Sequence, residues 1–405
     1  MHPLAAETNA RIPAHILSLF SAKGREIFFP SRGILGQSAE AKNADINATI
    51  GIALEDDGSP MRLAGLEDTV GVPPRDAFPY APSYGKPALR SLWQEMIRVK
   101  NPSLKSTPIS VPVVSQALTH ALSVCGSLFL DPGDNLLLPH LYWGNYRLIF
   151  AHGYGAQMVS YPTFEGDGFN LPALEDALMS GPPGKRVILM NFPNNPTGYT
   201  CTINEAHAIR DLLVRVAEAG RPTVCLIDDA YFGLVYEEGI FEESLFALLA
   251  DAHPSVLAVK IDGATKEDYA WGLRVGFVTY GFKGARKEAL IALEDKTAGT
   301  VRSQISNASH LSQSLLLDAY RASAFPQWKA EKKEVLSRRY ATVKAVLDAH
   351  PQYLESFTPL PFNSGYFMCV RPVHAEPETL RRHLLAHYKT GVIATGDLIR
   401  IAYSS

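Results

Sequence analysis

Three segments of this chain carry side chains able to act on one small molecule. Asn191-Phe-Pro-Asn-Asn195-Pro-Thr-Gly198 supplies amides in a Pro- and Gly-rich turn. Asp228-Asp-Ala-Tyr231 sets a carboxylate and a phenol three residues apart. Asp262-Gly-Ala-Thr-Lys266 supplies an amine, and Arg274 follows eight residues later in Trp271-Gly-Leu-Arg274-Val-Gly276. An amine, a carboxylate and a guanidinium are the groups that proton transfer and anion binding require. Each segment has an ordinary explanation when taken singly. N-P-T-G is a turn, an Asp after a strand often caps a helix, and a Lys in a loop is usually solvated. In this order, at the ends of successive strands of a predicted parallel sheet, they would converge on a single crevice.

The elements that must hold them are short apolar runs rich in β-branched residues, at 111–114, 136–138, 158–161, 187–190, 224–227, 256–259 and 275–280. Each is too short for a helix and lacks alternation, as strands buried on both faces do. Between them, 205–219 repeats apolar residues at Ala206, Ile209, Leu212, Leu213, Val216 and Ala217, the stripe of an amphipathic helix. Segments 118–130 and 171–179 behave alike. Alternating strand and helix predicts an α/β fold whose mostly parallel sheet is covered by helices, with ligands at the carboxyl ends of the strands. Residues before about 75 show little periodicity, whereas a polar helix is predicted at 327–350, a strand at 366–370 and a helix near 377–388. The expected division is 1–75 and 326–405 as two parts of one small α+β domain, flanking a large domain at 76–325.

The set N-P-T-G, D-x-A-Y and K followed eight residues later by R-x-G resembles the class I, fold-type-I pyridoxal-phosphate (PLP) aminotransferases, most of all their aspartate and aromatic branch. The likeness runs from about Asn47 to Arg400 and implies a seven-stranded, mostly parallel sheet. It implies pyridoxal 5'-phosphate as cofactor, linked to Lys266, whose freed amine would then shuttle the substrate proton. Asp228 matches the carboxylate against the pyridine nitrogen, and Asn195 and Tyr231 match the donors to the ring hydroxyl. Arg274 matches the phosphate arginine, aided by Thr119 and the helix start at Ala117 and Leu118. Many relatives have Ser and Gly at the positions of Ala117 and Leu118, and Ser at that of Gly263, so backbone groups and Arg274 would carry more of the phosphate. Trp143, in Leu138-Pro-His-Leu-Tyr-Trp143-Gly-Asn145, matches the ring that stacks on the cofactor.

By the same resemblance, Arg400 would grip the substrate α-carboxylate, and Gly51, in Asn47-Ala-Thr-Ile-Gly51, would close over it. Relatives continue past this Arg with a helix whereas this sequence ends at Ser405, which implies less support for Arg400. Tyr80, in Tyr80-Ala-Pro-Ser-Tyr84-Gly85, matches a Tyr that reaches the phosphate of a neighbouring subunit. Arg302, in Arg302-Ser-Gln-Ile-Ser306-Asn307, matches one that crosses to the substrate's distal carboxylate. A homodimer with shared sites is therefore expected. The implied reaction is ping-pong transfer of an amino group between an amino acid, aspartate or glutamate or aromatic, and a 2-oxo acid such as 2-oxoglutarate. A PLP lyase or decarboxylase would keep the same constellation. A non-catalytic PLP-binding regulatory module is disfavoured because Lys266 is intact and no helix-turn-helix precedes it.

Composition agrees with a globular enzyme. The 405 residues are 46% hydrophobic, and 38 Lys and Arg stand against 41 Asp and Glu, a balance without the basic footprint of a nucleic-acid binder. Four scattered cysteines form no C-x-x-C, and 12 His do not cluster, so neither a disulfide framework nor a metal site is expected. The apolar run at 16–20 is too short for a signal-peptide core, and none approaches a membrane span, which makes the cytoplasm the default.

Overall fold

The computed structural model describes all residues except 18–19, 28–32, 50 and 69–70, so part of the apolar run at 16–20 and Ile50 before Gly51 lie outside the described residues. A seven-stranded sheet is built from β1 (Val113–Gln116), β2 (Asn135–Pro139), β3 (Gln157–Tyr161), β4 (Arg186–Met190), β5 (Thr223–Asp228), β6 (Val256–Asp262) and β7 (Val275–Gly281). Their order is β1-β7-β6-β5-β4-β2-β3. β7 runs antiparallel to both neighbours, and the other adjacent pairs are parallel. The central strands are buried along nearly their whole length, as their unbroken apolar runs require, whereas β3 is only partly buried because it is an edge.

This topology positions the site. The parallel strands β4, β5 and β6 deliver Asn191, Asp228 and the Lys266 turn at their carboxyl ends. β7 runs the other way, so Arg274, just before its first residue, arrives at that same edge. The β1 segment departs from the sequence expectation of 111–114. Its ladder covers Val113–Gln116 against Val275–Val278, because Pro112 has no N–H to donate and Val111 N–H is taken by Glu294 at 2.8 Å.

Helices α1 (Ile34–Glu40), α2 (Pro87–Lys100), α3 (Ala117–Phe129), α4 (Leu171–Met179), α5 (Ile203–Glu218), α6 (Ala264–Glu267), α7 (Lys287–Ile305), α8 (Phe325–Ala349) and α9 (Pro377–Tyr388) surround the two main sheets. The stripe on α5 is buried as its period demands, and its start is fixed by a capping box between Thr202 and Glu205. On α2, Trp93 stacks on Phe277 of β7 with ring centroids 4.2 Å apart. The second sheet, β8 (Phe357–Pro359), β9 (Phe367–Pro372), β10 (Ile393–Thr395) and β11 (Leu398–Ala402), is antiparallel in the order β8-β9-β11-β10. N-terminal residues bond to this region: Ile46 and Asn47 pair with Thr390 and Gly391, and Gln37 exchanges two hydrogen bonds with Ala394. Among the described residues no helix is long and apolar enough to cross a membrane.

Where the N-P-T-G turn meets the second sheet, Gly198 has φ +74°, and its carbonyl accepts the N–H groups of Asn363 and Ser364. A Cβ there would stand 1.9 Å from the Phe367 carbonyl oxygen. Gly198→Ala is therefore expected to cost more than about 2 kcal/mol, from left-handed strain and the backbone clash together. A fall in the urea midpoint at unchanged slope checks it; an unchanged midpoint would contradict this packing.

Candidate active site

Asp228, the last residue of β5, is 3% exposed and held from three directions. Tyr146 OH donates to its Oδ2 at 2.5 Å, Ala230 N–H donates to Oδ1 at 3.1 Å, and Asn191 Nδ2 donates to its backbone carbonyl at 2.8 Å. Burial pushes the Asp228 carboxyl above its ordinary value, against the opposing pull of the Tyr146 bond and the Lys266 charge. Lys266 Nζ lies 4.7 Å from the centre of the Tyr231 ring. Burial lowers the pKa of this amine, against the opposing pull of the Asp228 carboxylate, and Arg274 adds to the lowering. Asn195 Nδ2 stands 3.4 Å from Tyr231 OH, and its backbone N–H is fixed by Asn191 at 2.9 Å.

A second cluster lies at the start of α3. Ala117 and Arg274 are non-glycine residues in the left-handed region, with φ of 61° and 54°, and both line the same cavity. Each such residue costs roughly 1–2 kcal/mol, and their coincidence beside Lys266 marks a functional locus. The backbone is tightly packed here. A Cβ on Gly263 would come within 2.5 Å of the Val275 carbonyl oxygen, so no hydroxyl-bearing side chain fits at that position. Thr265 is among the cavity-lining residues, and its Oγ1 is buried without a hydrogen-bond partner. Arg274 Nη1 donates to Trp271 O at 3.2 Å.

Arg400 comes from β11, where it pairs with Cys369 and Ile393, and is 3% exposed. Its Nη1 donates to Asn195 Oδ1 and its Nη2 to Thr49 O, each at 3.2 Å, and its guanidinium lies 4.2 Å from the Phe367 ring centre. Its Nε has no partner. This support contrasts with the expectation from the sequence end. It comes from the neighbouring strands and the N-terminal segment.

Lys266, Asp228, Tyr231, Asn195, Arg274, Trp143, Ala117, Leu118, Thr119, Gly51 and Arg400 thus line one cavity of about 480 Å³. Tyr80 and Arg302 do not: Tyr80 is 89% exposed, and Arg302 lies on the surface with Nη1 donating to Ser306 Oγ at 2.7 Å. The cavity also contains Ile34, Leu35, Ser38, Thr49 and Tyr146, which sequence reasoning missed. Tyr146 alone had a signal, three residues after Trp143, whose ring it meets edge-on at 5.5 Å. A larger hollow of about 630 Å³ near Tyr199 and Phe362 has no such convergence of groups. Among the described residues no cluster of His, Cys, Asp and Glu could hold a metal ion.

Residues 74–404 match the family described as aminotransferase class I and II, and the chain belongs to that family. It is similar to a probable aspartate/prephenate aminotransferase of Thermus aquaticus, at 28% identity over 49% of this chain and 48% of that one. It is also similar to a histidinol-phosphate aminotransferase of Halobacterium salinarum, at 32% identity over 41% of this chain and 40% of that one. The matched segments therefore span about half, or less, of these relatives' lengths. A crystal structure of an aminotransferase from Anaerococcus prevotii shares the fold, with a TM-score of 0.84 and 21% identity over 95% of each chain.

The family uses pyridoxal 5'-phosphate, and the residues present fit it. Asp228 offers a buried carboxylate without a full cationic partner, suited to a protonated ring nitrogen. Lys266 offers an amine for the aldehyde. Arg274, the α3 N-terminus and the unpaired Thr265 hydroxyl offer donors for a phosphate.

Proposed function

We propose that the chain is a PLP-dependent aminotransferase that moves an amino group between an amino acid and a 2-oxo acid in two half-reactions. The observation that carries this reading is the convergence of Lys266, Asp228, Arg274 and Arg400 on one cavity. When bound, PLP supplies an electron sink for the substrate Cα. Asp228 would hold a proton at the ring nitrogen, and Tyr146 fixes its carboxylate for that task. Asn195 and Tyr231 would donate to the ring hydroxyl. Lys266 would hold the cofactor through its amine, and once that amine is freed it would take the substrate Cα proton. Arg400 orients the α-carboxylate through a planar fork, and the apolar side chains of α1 near the mouth limit water. A lyase or decarboxylase would use the same groups and differ in which substrate bond is cleaved. An absorbance scan with a panel of amino acids and 2-oxo acids separates these readings. An aminotransferase yields the 2-oxo product and pyridoxamine phosphate, reversed by adding a 2-oxo acid. Release of carbon dioxide or ammonia without that reversal would contradict the assignment.

The finer reading is a homodimer acting on dicarboxylates or aromatic amino acids. Two observations support it: among the described residues the cavity has no cation beyond Lys266, Arg274 and Arg400, and Tyr80 and Arg302 are exposed on the surface. In this reading Tyr80 of the partner subunit reaches the phosphate and Arg302 of the partner subunit meets a distal carboxylate. The small α+β unit of 1–75 with 326–405, beside a large unit at 76–325, belongs to the same reading, as does a cytoplasmic location. Arg302→Ala is expected to lower kcat/KM for aspartate or glutamate by about 30- to 1000-fold, roughly 2–4 kcal/mol, while sparing a neutral aromatic substrate. Arg400→Ala is expected to harm every substrate. Equal loss across substrates in Arg302→Ala would remove the dicarboxylate assignment and leave the aminotransferase reading standing.

A further inference from the structure

Lys266 sits on a helix of one turn, α6, and both ends of that turn are tied into a buried ionic network. Before it, Asp262 accepts Trp93 Nε1 at 3.1 and 3.2 Å and lies 3.4 Å from Lys260 Nζ. After it, Glu267 Oε1 accepts Lys100 Nζ at 2.6 Å and Lys329 Nζ at 2.8 Å. Asp268 accepts Tyr320 OH at 2.7 Å, and its other oxygen lies 2.9 Å from Lys329 Nζ. The Lys266 carbonyl accepts Tyr366 OH at 3.2 Å. These three carboxylates are 3% exposed or less. Burial pushes the Glu267 carboxyl up, but Lys100 and Lys329 outweigh it and hold it below the ordinary range, so the ion pairs are charged.

Such a network costs several kcal/mol per ion in desolvation, and a well-packed apolar cluster of the same volume would be at least as stable. What it adds is a fixed position. Lys329 belongs to α8, and ten residues on, Arg339 Nη1 donates to Ser404 O at 2.6 Å, four residues beyond Arg400. Tyr340 of α8 packs in one apolar cluster with Met368, Val370 and Ile399 of the sheet that carries Arg400. A continuous run of contacts therefore joins the Lys266 turn to the Arg400 strand. A substrate must meet both at once, since its α-carboxylate and Cα hydrogen are attached to the same carbon. Errors of about 0.5 Å are enough to spoil such alignment.

We propose that Glu267, through Lys329, is a positioning residue that sets the distance between Lys266 and Arg400. It forms a strut between the two sheets that makes proton transfer at Cα depend on correct seating of the α-carboxylate. The inference rests on the aminotransferase reading of Lys266 and Arg400. Neither Glu267 nor Lys329 touches the cavity that holds substrate.

The test uses the PLP-loaded enzyme and three variants, Lys329→Met, Glu267→Gln and the conservative Lys329→Arg. Lys332→Met, one turn along α8 and paired with Glu55 at 2.6 Å, is the control. Readouts are the pH midpoint of the bound cofactor's visible band, which reports on Lys266, and kcat and KM with one amino acid. Asp228, Tyr231 and Arg274, which face the Lys266 amine, are intact in all of them. Lys329→Met and Glu267→Gln are each expected to lower kcat about tenfold or more, raise KM less, and move the midpoint by about half a unit or more. Lys329→Arg is expected to recover most of the loss and Lys332→Met to change neither readout. If Lys329→Met does not fold, Glu267→Gln, which keeps the side chain's shape, decides the matter. Variants that lose thermal stability but keep the wild-type midpoint and kcat would overturn the strut alone. A wild-type spectrum identical to that of Lys266→Ala would overturn the cofactor reading on which it rests.

Discussion

Lys266→Ala is expected to abolish turnover while leaving the fold intact and PLP still bound without a covalent link. The loss should be on the order of 10⁴-fold or more, because one amine serves both as nucleophile and as proton carrier. The fold should survive because the amine sits against the Tyr231 ring at the cavity, where burial already disfavours its charge. Truncating it removes an amine whose charged form burial disfavours, and sites of this kind commonly gain stability when dismantled. Retained cofactor would rely on Asp228, Arg274 and the α3 start. Borohydride treatment of the wild type followed by peptide mapping should tag Lys266, and a tag on another lysine would remove it from this role.

Asp228→Asn is the sharper of the two tests because it changes charge and little else. The amide oxygen can still accept from Ala230 N–H, and the amide NH2 that replaces Oδ2 can donate to Tyr146 OH if that hydroxyl turns, so neither buried partner is orphaned. Asp228→Ala, by contrast, would leave the Tyr146 hydroxyl unsatisfied at a cost of about 1–3 kcal/mol, mixing a folding defect with the chemical one. What Asn cannot do is stabilise a proton on the ring nitrogen. Breaking a buried charge pair of this kind costs about 3–5 kcal/mol, so kcat should fall by roughly 10²- to 10⁴-fold with thermal stability near that of the wild type. Near-normal turnover in Asp228→Asn would mean that the ring nitrogen finds its partner elsewhere.

The cavity-lining groups of the large sheet were legible because each is written locally. Asn195, Asp228 and Lys266 follow strands whose apolar runs are unmistakable, and N-P-T-G can only be a turn. The strand runs were legible for the same reason, and only β1 slipped by two residues, where Pro112 breaks the ladder that its neighbours suggest. What stayed hidden depends on contacts between distant parts of the chain. Tyr146 reads as a core aromatic until Asp228, 82 residues away, is set beside it. Ile34, Leu35 and Ser38 lie in a stretch without helical periodicity, and α1 is held by Gln37 bonding across the chain to Ala394. Glu267 and Asp268 look like solvated surface carboxylates, since nothing near them announces that Lys100, Tyr320 and Lys329 will enclose them.

The reversal of β7 has a consequence for where this chain tolerates change. Lys266 closes the turn that follows β6, and Arg274 opens the strand that comes straight back beside it, with Phe277 set opposite Asp262. The connector between them is thus spanned by two anchors of fixed separation and has no slack. One residue inserted there would displace Arg274, which precedes β7 in a left-handed conformation, from its place at the cavity. The loops at the opposite rim, such as 182–185 and 282–286, supply none of the cavity-lining residues themselves, and their length is free to drift. Tags, cross-linkable sites or inserted peptides belong at that rim, and a new chain opening made there would leave the whole cavity edge covalently unbroken.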